Sequence, residues 1–89
     1  MNIKEVFEEQ ALLRALEKRE IKAFVQFYKD YGEDILIFAY SVLQDARLAS
    51  RIVDQFFEKL WAEANFETIE PPIHKYLMSE VLKICSERS

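Results

Sequence analysis

Residues that make tight turns are almost absent from this chain. Its 89 residues include one glycine, Gly32, and two prolines, Pro71 and Pro72, which are adjacent. A β-sheet domain of this length needs many turns, and those turns need Gly, Pro or Asn-Gly pairs. Apolar residues nevertheless make up 51% of the chain, which is too many for a disordered segment. The sequence therefore predicts one all-α domain over residues 1–89, a compact bundle of about four helices.

Apolar periodicity divides the chain into these helices. The first is predicted over about residues 6–18, and the charged run at 17–20 indicates a solvated turn. The second helix begins at Ile21, and Gly32 lies inside its apolar pattern as a candidate kink. Within this helix, residues 35–43 are apolar on nearly every side, which is typical of a central helix or of one that meets a partner.

The third and fourth helices have clearer beginnings. Asp45 is a good N-cap for the third helix, which is predicted to end at about residue 61 or 64. A loop follows, and Pro71 and Pro72 close it, since proline is well tolerated in the first turn of a helix. Each helix carries an apolar stripe, in which we expect Trp61 and Tyr76 to be core residues.

Acidic side chains outnumber basic ones along the chain. There are 16 Asp and Glu against 12 Lys and Arg, and the net charge is −4. No segment forms a basic patch, whereas a domain that grips nucleic acid through its phosphates is expected to be basic on at least one face. Any DNA binding is therefore expected to be weak, narrow or dependent on a partner.

Cysteine usage and hydropathy indicate a cytoplasmic protein without membrane insertion. Cys85 is the only cysteine, so it cannot form an internal disulfide, and we expect a small buried hydrophobe. The N-terminus turns acidic at Glu5, where a signal peptide would run apolar. The longest uncharged stretch, residues 35–44, is half the length that a membrane-spanning helix needs.

Residues that carry enzyme chemistry are scarce. His74 is the only histidine, so no convincing Ser-His or Cys-His nucleophile pair can be assembled. The chain has no Cys/His cluster for zinc and no glycine-rich loop for phosphate. The sequence therefore predicts neither an enzyme nor a cofactor or metal site, and we expect His74 to be exposed in the first turn of the fourth helix.

Several blocks of residues occur in a characteristic order. They are LLRAL at 12–16, KAFVQFYKDY at 22–31, IFAYSVL at 37–43, LA and IV within 48–53, FEKLW at 57–61, then Phe66, KYL at 75–77 and Cys85. This order resembles region 2 of the extracytoplasmic-function sigma factors of the sigma-70 family, in the style of Bacteroidetes members. The resemblance covers about residues 12–88. The apolar spacing within any one block is common, and the resemblance is specific only because all the blocks occur in this order.

The resemblance implies a role in transcription initiation rather than catalysis. Region 2 docks on the clamp helices of the largest RNA polymerase subunit, and it opens and reads the minus-ten promoter element. Docking uses the outer face of the third helix, which here carries Arg51, Asp54, Gln55 and Glu58. Promoter reading uses the loop before the fourth helix and the exposed face of that helix, where the candidate DNA contacts are Asn65, Phe66, His74, Lys75 and Lys83.

The chain departs from the family pattern on both faces. The acidic pair that usually begins the docking face falls on Ser50 and Arg51, so the face has lost carboxylates and gained a cation. The basic-Asn pair usual in the fourth helix falls on Leu82 and Lys83. Two or three lysine–phosphate contacts predict only weak, salt-sensitive DNA binding, since each contributes about one unit of salt slope.

These departures leave alternatives open. Phe66 either plugs the base of the loop or stacks on a base, and Asn65 either makes its own turn or contacts a splayed base. A second interpretation is a degenerate sigma-like module that has lost DNA reading and binds a protein, such as an anti-sigma-like regulator, polymerase or a second copy of itself. Region 4, the second domain of such sigma factors, is absent from this chain, which is either an excised domain or a stand-alone relative.

Overall fold

The computed structural model describes residues 3–88, with side chains to residue 87. The ends of the predicted domain, residues 1, 2 and 89, lie outside the described residues. The chain forms four α-helices and a short 3₁₀ turn, and the described residues include no strand: α1 (Ile3–Glu17), α2 (Ile21–Leu43), α3 (Ala46–Glu63), the 3₁₀ turn (Phe66–Thr68) and α4 (Ile73–Arg88). The predicted all-α bundle is confirmed.

Local sequence explains where the two longest helices meet. The side chain of Asp45 accepts a hydrogen bond of 3.0 Å from the backbone N–H of Leu48, which confirms the predicted N-cap of α3. Before it, α2 ends at Leu43, and the C-cap residue Gln44 has a left-handed φ of 57° and donates its N–H to the carbonyl of Tyr40 at 2.8 Å. Helix α2 continues through Gly32, so this candidate kink position does not break the helix.

The first helix and the loop differ from the sequence-based boundaries. Helix α1 begins at Ile3, three residues before the predicted start, because the prediction followed the apolar pattern, which starts at Val6. The irregular loop predicted over residues 65–70 contains the 3₁₀ turn. This turn is closed by two backbone bonds, from Thr68 N–H to Asn65 and from Ile69 N–H to Phe66.

Helix α2 is the central element, because it contacts α1, α3 and α4. Phe27 of α2 is fully buried, and its ring lies 5.4 Å from that of Phe57 in α3 and 6.2 Å from that of Phe66 in the loop. From α4, the fully buried residues are Ile73, Leu77, Val81 and Cys85. The predicted burial of Cys85 is confirmed, and this burial raises the pKa of its thiol.

The apolar segment over residues 35–43 is only half covered. Ile35 and Ala39 are fully buried, whereas Leu36, Ile37 and Tyr40 are exposed. A helix in the middle of a four-helix bundle still has one side without a neighbour, and the apolar residues on that side face outward. No helix among the described residues is long and apolar enough to cross a membrane.

The expectation that Trp61 and Tyr76 are core residues was too strong. Both are only partly buried and pack at the edge of the core. Trp61 lies near the C-terminal end of α3, where its ring stacks at 4.7 Å on Phe24 of α2. Large amphipathic rings often take this edge position, with an apolar body inside and a polar tip outside.

Two leucines of α4 test this description of the core. Leu77 is fully buried and Leu82 is 44% exposed. We expect Leu77→Ala to lower the free energy of unfolding by about 2–5 kcal/mol, because it removes buried methyl groups and leaves a cavity. The matched control Leu82→Ala should change it by no more than about 0.5 kcal/mol. Urea denaturation followed by circular dichroism measures both, and equal losses would contradict the burial pattern of α4.

Candidate functional site

The four predicted docking residues lie together on the outer side of α3. We call Arg51, Asp54, Gln55 and Glu58 the docking surface, and all four side chains are exposed. Positions 51, 54, 55 and 58 repeat at three- and four-residue intervals, which places them on one helix face. The opposite face of α3 is buried, so the strong amphipathicity of this helix fixes which face is presented to solvent.

A tyrosine of α2 extends the docking surface. The hydroxyl of Tyr28 donates a hydrogen bond of 3.1 Å to Oδ1 of Asp54, and the Tyr28 ring packs edge-on at 5.0 Å against Phe57. The same ring lies against Gly32, one turn along α2, where an added Cβ would sit 3.4 Å from it. Desolvation, followed by the hydrogen bond and negative charge of Asp54, raises the pKa of Tyr28. The phenol therefore stays a neutral donor that orients the Asp54 carboxylate.

The predicted DNA contacts, which we call the loop surface, divide into exposed and buried residues. Asn65, His74, Lys75 and Lys83 are exposed, as expected for His74. Phe66 has no exposed surface. The base-stacking alternative for Phe66 is therefore wrong in this conformation, and the plugging alternative is confirmed. The physical reason is that its ring fills the space beside Phe27 at the base of the loop.

Two charged residues at the C-terminal end of α1, Glu17 in its last turn and Arg19 just after it, hold this loop in place. Glu17 accepts a hydrogen bond of 2.8 Å from the backbone N–H of Phe66, and Nη2 of Arg19 donates one of 2.8 Å to the carbonyl of Ala64. The Arg19 guanidinium also lies 4.9 Å from the ring centre of Phe66 and 5.8 Å from that of Trp61. The prediction of a simply solvated turn at residues 17–20 was wrong, because Glu17 and Arg19 are partly buried against the loop.

The backbone of Arg19 has the conformation that ends α1. Its φ is +59°, and its N–H donates to the carbonyl of Leu16 while that of Glu20 donates to Ala15. These two bonds form a Schellman motif, in which the left-handed position is most often glycine. A residue with a side chain costs about 1–2 kcal/mol there. At this site the Arg19 side chain offsets that cost through its contacts with the loop.

A second side chain of α1 caps α4. Oε1 of Glu9 accepts a hydrogen bond of 2.6 Å from the backbone N–H of Ile73, the first residue of α4, and one of 3.4 Å from the hydroxyl of Tyr31. A carboxylate at this position also opposes the positive end of the helix dipole. Desolvation, and after it the charge of Glu9, raises the pKa of Tyr31 to about 12, so this phenol also remains protonated.

The exposed cations of the loop surface stand among carboxylates. Nζ of Lys83 forms an ion pair of 3.0 Å with Glu80, while the exposed Glu67 and Glu70 lie in the loop. Asn65 makes its turn through its backbone carbonyl, which accepts from the Thr68 hydroxyl at 2.7 Å. Within residues 3–88, no group of three or more His, Cys, Asp and Glu residues is arranged to hold a metal ion.

The sequence pattern did not reveal Glu9, Glu17, Arg19 or Tyr28 as site-forming residues. The three charged residues lie on α1 or in its terminal turn, far in sequence from the backbone groups that they bind. One local signal was present for Tyr28, which stands one helical turn before the only glycine. A missing Cβ inside a helix leaves room for a neighbouring ring to lie flat.

Variants at position 19 separate the backbone strain from the side-chain contacts. Arg19→Ala keeps the left-handed φ and loses the hydrogen bond to Ala64, so we expect a loss of about 1–3 kcal/mol in the free energy of unfolding. Arg19→Gly relieves the strain and should be less damaging by about 1 kcal/mol. Arg14→Ala, an exposed control on α1, should be nearly neutral in the same urea titration. A loss at position 19 no larger than that of Arg14→Ala would contradict this role.

Comparisons with known proteins do not assign the chain to a family. No family model, curated protein or solved structure matches it. The sigma region 2 resemblance therefore depends on the ordered residue blocks of the sequence.

Proposed function

We propose that the chain is a sigma factor region 2-like domain that acts in transcription initiation in the cytoplasm, docking through α3 on the clamp helices of the largest RNA polymerase subunit. One observation carries this proposal. The four residues that the resemblance assigns to docking are exposed together on a single helix face, and no other helix within residues 3–88 covers them. A helix face of this kind is suited to contact a partner helix.

The charges of the docking surface support a helical partner with cationic groups. Asp54 and Glu58 stand one turn apart and present two carboxylates in one direction. The hydroxyl of Tyr28 fixes the orientation of Asp54, which reduces the ordering that binding requires. Arg51 adds a cation where the family usually has an acid, and a reversed rim charge alters partner choice and association rate before it abolishes binding.

Reversing the charge of Asp54 tests the docking assignment. We expect Asp54→Lys to weaken binding of the purified domain to a clamp-helix fragment by about tenfold or more, because it removes a favourable pair and introduces a repulsive one. Glu8→Lys makes the same charge change at an exposed position of α1 and should leave binding nearly unchanged. Titration calorimetry at low and moderate salt measures both affinities. Equal affinities for the two variants would remove the docking assignment.

The loop surface supports at most weak contact with the minus-ten element. Lys75 forms no ion pair within the described residues and is available to a phosphate, and Asn65 presents an exposed amide to a base. A second candidate function, a sigma-like module that binds a protein and has lost DNA reading, is favoured by the burial of Phe66 and by the Lys83–Glu80 ion pair. An anti-sigma-like regulator would be one such protein partner.

Salt dependence separates the two candidates. For a promoter-reading domain, we expect a single-stranded minus-ten oligonucleotide to bind the complex of the domain with the clamp-helix fragment, more weakly as salt increases. Lys75→Ala should then reduce the slope of log affinity against log salt by about one unit. Lys22→Ala, on an exposed position of α2, is the matched control. No binding at low salt, with docking on the fragment retained, would favour the protein-binding module.

A further inference from the structure

A row of four exposed charges runs along α3 and changes sign at its middle. Arg47, Arg51, Asp54 and Glu58 occupy one face of the helix, with the two cations nearer its N-terminus. Within the described residues neither arginine forms an ion pair. Arg47 lies in the first turn, where the helix dipole disfavours a cation. These charges are therefore not arranged to stabilise α3 itself.

The charged row is complementary to the same row of a second copy that runs in the opposite direction. Its midpoint lies between residues 52 and 53, and a second α3 turned antiparallel about this point would place Arg51 opposite Asp54 and Arg47 opposite Glu58. All four pairs across the contact would then be of opposite sign. A parallel second copy would instead oppose like charges, which is unfavourable. The row thus selects an antiparallel, two-fold arrangement, in which the same patch serves both partners.

Helix α2 contributes an apolar row to the same side of the domain. The residues of both rows are exposed, so no element within residues 3–88 covers this side. Ile37 is also exposed but falls outside the row, whereas Ile21, one turn before Val25, extends this face beyond the four residues of the row. The members of the apolar row are between 36% and 48% exposed: Val25, Tyr28, Leu36 and Tyr40. Its link to the charged row is the hydrogen bond from Tyr28 to Asp54.

The two rows share one centre. Helices α2 and α3 are antiparallel, since Tyr28 packs on Phe57 and Phe24 stacks on Trp61. A step of one residue toward the C-terminus of α2 is therefore matched by a step of one residue toward the N-terminus of α3. The midpoint of the charged row, between residues 52 and 53, is level with residues 32–33 of α2.

The apolar row is symmetric about that same level. Val25 and Tyr40 lie at equal distances from it along α2, and Tyr28 and Leu36 are also nearly equidistant from it. A two-fold axis through this level would therefore pair Val25 with Tyr40 and Tyr28 with Leu36 of the second copy. The apolar row on α2 is thus compatible with the axis that the charged row on α3 specifies.

The area of this face fits a reversible dimer. Helices of 23 and 18 residues are about 34 and 27 Å long, and two packed side by side make a face about 20 Å wide. The resulting area is roughly 600 Å² per copy, at the low end of specific interfaces. An apolar row beside a charged row also supplies both a desolvated centre and a polar edge.

We propose that the chain forms an antiparallel two-fold homodimer through the outer face of α2 and α3. The charged row sets the direction of the second copy and the apolar row supplies the buried contact. This dimer does not depend on the proposed docking to polymerase, and the purified chain alone tests it. The charged row shares Arg51, Asp54 and Glu58 with the docking surface. A copy within the dimer therefore cannot bind another partner through its docking surface.

Charge reversal in two complementary variants tests the dimer by analytical ultracentrifugation. We expect the wild-type chain to show a concentration-dependent monomer–dimer equilibrium that added salt weakens. Arg47→Glu/Arg51→Glu and Asp54→Lys/Glu58→Lys should each weaken self-association by about tenfold or more, because like charges then meet. An equimolar mixture of the two variants should recover the dimer, since each row again faces its opposite.

The control matches the charge change without touching this face. Lys4→Glu/Arg14→Glu alters the net charge as Arg47→Glu/Arg51→Glu does, at two exposed positions of α1, and should dimerise like the wild type. Circular dichroism checks that each variant is folded. If a double variant unfolds, the test is repeated with Arg47→Glu and Glu58→Lys alone.

Three results would overturn the proposal. The first is a wild-type chain that remains monomeric at millimolar concentration. The second is a dimer that the folded double variants leave unchanged, which would place the contact on another face. The third is a mixture of the complementary variants that stays monomeric.

Discussion

The fold depends on hydrogen bonds that charged residues of α1 and its terminal turn donate to, or accept from, backbone far away in the sequence. Glu17 and Arg19 bind the backbone of the α3–α4 loop, and Glu9 binds the first N–H of α4. A loop that inserts residues into the core is otherwise unfavourable, because backbone groups beside those residues lose water without gaining partners. By satisfying these groups, α1 allows Phe66 to enter the core, where it meets Phe27. The fourth helix then begins at a fixed position.

This constraint divides the surface of the molecule into two regions of different chemistry. On the loop surface the aromatic ring is buried inside, and what remains outside is a few polar and charged side chains among carboxylates. On the α2–α3 side, an apolar row on α2 lies beside a charged row on α3. The first region is poorly equipped to hold nucleic acid, whereas the second is suited to contact protein.

Tyr28 and Asp54 connect the two uses proposed for the α2–α3 side. Their hydrogen bond joins the helices at the surface, and Asp54 belongs both to the docking surface and to the charged row. A polymerase clamp helix and a second copy of the chain would therefore compete for the same carboxylates. Such competition would make the fraction of free domain depend on its concentration, since a dimer forms by mass action.

The sequence by itself determined the fold class, the ends of the main helices and the exposed face of α3. The scarcity of turn residues excluded sheets, Asp45 marked the start of α3, and the period of its apolar residues assigned the docking surface to solvent. These features are local, and pattern and capping chemistry describe them well. Tertiary structure alone decided the role of Arg19, the burial of Phe66 and the alignment of the two rows. Each of these depends on which distant backbone group, ring or helix comes to lie opposite, and helical periodicity contains no information about that.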